Sequence, residues 1–347
     1  MRCALIEFNS YHEEILPTFV RLLNDLDIEP DVYMVRPSRR RRPFALAGDL
    51  RFRGRRVEGI DRYLGLPFRS RRYELLIVNS MEPVANLERL AGSRTPILGV
   101  VHNTELLDEP AYRAFFARPR RRALVLGSHI AQRLSAGGTP VEWILHVEFG
   151  RPEPAPANVV TTFAVSGNVE FQRRNYQALI AAVAELHAAA APFRVRIVGR
   201  STRPDGLALR EEIERRGLGE RFELSPEVLD HPGFYELVAG SDFVLPLLDG
   251  STDQFRRYFD TKLASSIPFA IGLGVPLVLH HELAEAYGVT ACGVDYDDGG
   301  LVEAMRTAIA SSEAERAAWR SAIAATRAEI LAASRENLRR AIEAVRA

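Results

Sequence analysis

The segment VVTTFAVSGNVEFQRRNYQALIAAVAEL, residues 159–186, decides the fold. Its first seven residues are β-branched, apolar or aromatic, the composition of a buried strand. A polar turn opens at Gly167, and NYQALIAAVAEL then carries the alanines and leucines of a helix. A continuous apolar strand, a glycine turn and a helix make the first half of a strand–helix–strand unit, whose parallel strands are buried on both faces. Arg173 and Arg174 stand at the predicted helix start, where the dipole disfavours cations. Either they form a solvated charge pair or an anion sits beside them, with Gly167 allowing close backbone approach.

The same pattern extends in both directions. Upstream, CALIEF, DVYMV, ELLIV, PILGVV, ALVLG and VEWIL read as strands, separated by helical segments such as EEILPTFVRLLNDL, EPVANLERLA and EPAYRAFFA. RPEPAPAN, residues 151–158, breaks the series as a linker would. Downstream come the strands RVRIVG, RFEL, DFVLPLL and VPLVLH, with helices at REEIERRG and GFYELVAG and a long helix from about Ser312 to Ala347. The expected fold is therefore α/β, with two Rossmann-like doubly wound domains facing a cleft. The boundaries fall at 1–150, 151–325 and, for a C-terminal helix, 326–347. Ligands of such sheets bind beyond the carboxyl ends of the strands.

Composition narrows the class. The 347 residues carry 45 basic and 45 acidic side chains, 47% hydrophobic residues and two cysteines, Cys3 and Cys292, both in apolar runs. These values describe a globular protein of a reducing compartment rather than a disulfide scaffold. No apolar stretch approaches the roughly 20 residues of a membrane span, and the N-terminus has no signal-peptide pattern. The expected location is cytoplasmic. Zero net charge conceals a block from Arg36 to Arg72 with thirteen arginines against Asp49, Glu58 and Asp61. It reads either as a solvated loop or as a surface for anionic lipid, giving peripheral attachment to the inner face of the membrane. FFARPRRR, residues 115–122, extends the basic character. Nucleic acid is not expected, since no binding motif or aromatic interleaving accompanies the charge.

Chemistry-bearing residues gather where strands end. Lys262 is the only lysine of the chain, in YFDTKLASSIPFAIGLGVP, residues 258–276. Ser265 and Ser266 precede Pro268, so a helix starts near residue 267 and stops at Gly272 or Gly274. Ammonium, hydroxyls and helix amides together suit a diphosphate. The turn VGRSTRPDG adds Gly199, Arg200 and Ser201 after another strand. In VVHNTE, His102, Asn103, Thr104 and Glu105 occupy a strand's carboxyl end, and His12 with Glu13 and Glu14 occupies the equivalent edge after the first strand. No zinc-ligand spacing, GxGxxG, Walker motif or GxSxG elbow occurs.

Taken in order, these pieces resemble the GT-B glycosyltransferases, especially the retaining group that uses nucleotide-sugar donors. TPILGVVHNTE is similar to that family's strand leading into a His-containing loop. VVTTFAVSGNVEFQRRN is similar to its phosphate-binding turn, with Arg174-Asn175 in place of the usual Lys-Asn. GLGVPLV matches its small-Gly-x-Pro-Val step. Where many members carry two donor-binding glutamates, this chain has Thr261 and Phe269; DTKLASS is closer to branches with a lysine at that step.

The resemblance implies a hexosyltransferase that moves sugar from a nucleotide-diphosphate sugar, UDP or GDP type, to a glycan, lipid-linked or small-molecule acceptor. It implies no metal and no further cofactor. His102 and Asn103 would be the catalytic residues. Lys262, Arg174, Gly167, Ser265 and Ser266 would hold the donor diphosphate, and Arg200, Asp253 and Asp260 the donor sugar or nucleotide. It also implies that the final helix crosses back to the first domain. A silent GT-B-like binding protein and a nucleotide-sugar epimerase remain the alternatives.

Overall fold

A computed structural model describes every residue except 57–71, 154–157 and 226. Much of the expected linker and the second part of the arginine block thus lie outside the described residues. The chain divides into two units. Met1–Gly150, Asp260–Leu263 and Glu329–Ala347 form the first, and Arg151–Phe259 with Ala264–Ala328 the second.

The first unit holds β1 (Cys3–Glu7), β2 (Asp31–Met34), β3 (Arg53–Arg56), β4 (Leu75–Val78), β5 (Ile97–Val100), β6 (Arg121–Leu126) and β7 (Glu142–Ile144). They form one parallel sheet in the order β3-β2-β1-β4-β5-β6-β7. Successive side chains of a strand point to opposite faces. Leu5, Ile77 and Leu98 therefore pack on one side with Phe19 and Leu23 of the helix Leu16–Asn24. Ala4, Ile6 and Leu76 pack on the other with Leu87, Leu90 and Phe115.

The second unit holds β8 (Thr161–Ser166), β9 (Phe193–Val198), β10 (Phe222–Leu224), β11 (Phe243–Val244), β12 (Leu277–His280) and β13 (Gly293–Tyr296). Their order is β10-β9-β8-β11-β12-β13, again parallel throughout. In both units the order reverses beside the first strand, between β1 and β4 and between β8 and β11. Such a reversal opens a crevice at the strands' carboxyl ends. Both sheets are Rossmann-like, as expected.

Two elements depart from the sequence reading. RGRR in the arginine block forms β3, with all four residues exposed. An edge strand with no buried face carries no apolar alternation, and its charges discourage pairing with another chain. Gly293–Tyr296 also forms a strand, GVDY, too polar to stand out.

The helix Glu313–Arg346 contributes to both units, as the resemblance implied. In the second unit, Arg316 donates to Asp242 at 3.2 Å and to Thr161 Oγ1 at 3.0 Å, and Trp319 packs edge-on to Phe243. In the first, Leu338, Ala341, Ile342 and Val345 enter the core. Asn337 Nδ2 donates to Trp143 O at 2.9 Å, and Arg340 forks onto Glu142 at 2.8 and 2.9 Å.

Candidate functional site

In the second unit, β8 runs directly into Gly167, whose φ of 101° suits glycine. A Cβ there would stand 2.9 Å from Arg174 Nη2, so the guanidinium lies over the bare backbone of the turn. A Cβ on Gly199, after β9, would come within 2.2 Å of Gly167 O. The two turns therefore touch, and Gly199 permits the contact. Arg174 Nη1 donates to Asn168 O at 3.3 Å, while its buried Nε meets no acceptor among the described residues. Arg173 is accounted for by an ion pair with Glu170 at 2.6 Å. The helix itself starts at Tyr176, later than the arginines suggested, and is capped by Asn175, whose Oδ1 accepts from Ala178 N at 3.0 Å. Asn175 Nδ2 donates to Asp249 Oδ2 at 2.8 Å, tying the β8 loop to the segment after β11.

The remaining second-unit candidates are less uniform. Arg200 Nε donates to Thr202 Oγ1 at 3.1 Å, and Ser201 is fully buried with its hydroxyl on Ser225 O at 2.7 Å, a structural bond. Asp253 is exposed in the first turn of the helix Asp253–Asp260. The helix Ser266–Leu273 begins and ends where the sequence indicates, with Gly274 at φ 76° as its stop. Its N-terminus differs from the expectation. Ser265 takes the cap position with helical backbone angles and no side-chain cap bond, and Ser266 is buried. Ile267 N already donates to Ala264 O, and Pro268 has no amide hydrogen. This terminus offers fewer amides to an anion than its sequence promises.

In the first unit, Lys262 pairs as a β-bridge with Asn103. Thr104 donates to Thr261 O through both its amide, at 3.3 Å, and its hydroxyl, at 3.0 Å. Lys262 is thus brought beside the loop carrying His102 and Asn103. Asp260 lies 4.0 Å from Arg133 in the same unit.

That loop borders a group of titratable residues at the β1/β4 reversal. Glu7, at the end of β1, is fully buried and accepts from Asn9 N at 2.7 Å, Asn79 Nδ2 at 2.6 Å and Ser80 Oγ at 2.8 Å. Burial nevertheless dominates and pushes its pKa up to about 7. The His102 ring stacks on His12, centroids 3.8 Å apart. Burial, and next the neighbouring His12, hold His102 well below the usual histidine range, so it is neutral. Its Nε2 lies 2.7 Å from Asn79 O. A carbonyl only accepts, so Nε2 carries the proton and Nδ1 keeps its lone pair. His12 is shifted the other way: burial opposes its charge, but Glu14, Glu7 and Glu82 outweigh that and raise its pKa. Glu82 Oε1 accepts the amides of His102 at 2.7 Å and Asn103 at 3.0 Å, fixing the loop. Exposed Tyr11 stands edge-on to His12.

Glu7, Asn79, Ser80 and Glu82 were not singled out from the sequence. The available signal was polar residues placed immediately after apolar runs, Glu7 within CALIEF and Asn79-Ser80 behind ELLIV.

No family model matches the sequence, and no curated protein matches it. Solved structures do resemble the chain. Anabaena HepE in complex with UDP and glucose superposes with a TM-score of 0.68 at 12% identity, covering 98% of this chain and 99% of that one. A glycosyltransferase from Rickettsia africae gives 0.61 at 10% identity, covering 99% and 98%. The lipopolysaccharide outer core galactosyltransferase WaaB gives 0.53 at 12% identity, covering 99% of each chain. At such identities the likeness is one of fold: the two units are the Rossmann-like domains of the GT-B type.

Proposed function

We propose that the protein is a glycosyltransferase that moves a hexosyl group from a nucleotide-diphosphate sugar, UDP or GDP type, to a glycan, lipid-linked or small-molecule acceptor. The observation that carries the reading is the Arg174 guanidinium held over Gly167 at the end of β8, with Gly199 packed against the same turn. A fixed cation above exposed backbone, at a sheet reversal, is suited to a diphosphate leaving group. Neighbours of the same fold were solved with UDP or UDP-glucose bound. In this reading the second domain, residues 151–325, binds the donor and the first, 1–150, the acceptor.

Arg174 stabilises the charge that develops on the departing diphosphate, and Lys262, Ser265 and Ser266 are proposed as further ligands of that diphosphate. These cations do the work a metal would do, so the proposed reaction is metal-independent. Arg200, Asp253 and Asp260 serve the sugar or nucleotide. His102, neutral and with Nδ1 free to accept, orients the acceptor hydroxyl together with Asn103. The described arginines of the Arg36–Arg72 block attach the protein peripherally to anionic lipid at the cytoplasmic face; no helix among the described residues is long and apolar enough to cross a membrane.

The test is turnover of a panel of UDP- and GDP-sugars, followed as nucleotide release with and without oligosaccharide acceptors. Release from one donor, accelerated by an acceptor and lost in His102→Ala, supports the reading. Binding of a donor with no release under any acceptor would replace it with a silent ligand-binding protein.

A further inference from the structure

A charged cavity lies at the opposite edge of the first unit's sheet from the His102 loop. Tyr73, Glu74, Arg94, Pro96, Arg120 and Arg346 line a space of about 400 Å³ at the amino ends of β4, β5 and β6. β5 is four residues long, so this edge is roughly 13 Å from the carboxyl edge that carries His102. Its one carboxylate is already engaged: Glu74 accepts the Arg2 amide at 2.8 Å and lies 3.7 Å from Arg346. Arg94 and Arg120 meet no carboxylate among the described residues. Arg120 also holds a left-handed backbone, φ 63°, a conformation uncommon outside glycine and asparagine. Next to it, Arg121 is 4% exposed, bonded to the carbonyls of Leu90, Ala91 and Ser93, and has no acidic partner among the described residues. Arg94, Arg120 and Arg346 thus give a concave site an excess of positive charge over Glu74, with apolar walls from Tyr73 and Pro96.

We propose that this cavity binds an organic phosphate, at a site separate from the donor cradle. Two free guanidinium groups match the oxygens of a phosphate monoester or diester, which arginine recognises through paired hydrogen bonds. The volume admits a phosphate with a small polar headgroup. The same chemistry is offered by a soluble sugar phosphate and by the headgroup of an anionic lipid.

The test is equilibrium dialysis of the full chain with radiolabelled inorganic phosphate, alongside calorimetric titration with UDP. Arg120→Asn keeps a residue that tolerates the left-handed backbone, and Arg94 is exposed, so the pair Arg94→Ala/Arg120→Asn preserves the fold; circular dichroism confirms it. The double variant is expected to weaken phosphate binding about tenfold or more while leaving UDP affinity unchanged. Arg174→Ala is expected to do the reverse. Competition then separates the sources: displacement by glucose 6-phosphate marks a soluble ligand, and displacement by short-chain phosphatidylglycerol marks a headgroup. A double variant that holds phosphate as tightly as the parent, or loses UDP affinity in parallel, would overturn the proposal.

Discussion

The two sheets share one topology and place their reversals beside their first strands, yet the loops at those reversals carry opposite chemistry. Beyond β1, β4 and β5 stand Glu7, His12, Glu82 and His102, carboxylates and histidines whose pKa values burial and mutual charge shift in different directions. Beyond β8 and β9 stand Gly167, Arg174, Gly199 and Arg200, a turn that pairs bare glycine backbone with guanidinium groups. The difference teaches that one backbone plan serves two tasks according to what its first turn tolerates. A loop built on glycine brings backbone close to a ligand. A loop built on buried carboxylates and histidines shifts their pKa values instead.

The helix shared by both units tests how far their stabilities are separate. Leu338 is fully buried among the first unit's core residues. Leu338→Ala is expected to cost about 2–5 kcal/mol by urea unfolding. The loss should appear in probes of the first unit; an equal loss in Trp319 fluorescence, which reports the second, would show that the units unfold together.

The titrating group in the first unit sharpens the contrast through pH. The pKa of Glu7 in the fold, about 7, lies above its unfolded value. The native state therefore holds the proton more tightly, and the stability so gained is full below about pH 4.5 and lost as pH rises through 7. Glu7→Gln removes this dependence. Between pH 5 and 8 the parent should lose on the order of 2–3 kcal/mol more than the variant. His12, also raised, loses its contribution in the same direction in both proteins, and His102, lowered, in the opposite one. Parallel stability curves for parent and variant would remove Glu7 from the account.

The smallest effect is expected at the sheet edge. Arg55 on β3 is half exposed, 3.3 Å from Asp31. Arg55→Thr should change stability by no more than about 0.5 kcal/mol, because exposed pairs contribute little. A larger loss in thermal unfolding would mean that the arginine block supports the fold rather than the surface.

Most of the architecture was legible because parallel strands buried on both faces leave continuous apolar runs, as CALIEF and TTFAVS do. β3 and β13 were not, since RGRR and GVDY have no such run. The β8 turn could be read from Gly167 and Arg174, both placed by local sequence. The carboxylate group could not: Glu7, Asn79 and Glu82 meet only because β1 and β4 are neighbours in the sheet, a long-range pairing with no local signature. Lys262 lies between these cases. Its sequence context pointed to a diphosphate, but its bridge to Asn103 places it with the first unit, a partnership that no local spacing encodes.

The central claim is that the β8 turn binds the donor diphosphate through Arg174. Calorimetric titration of UDP and GDP against the parent, Arg174→Ala and Glu7→Gln tests it most directly. The account predicts that the preferred nucleotide binds about tenfold or more weakly to Arg174→Ala and with parental affinity to Glu7→Gln. Parental affinity in Arg174→Ala would contradict it.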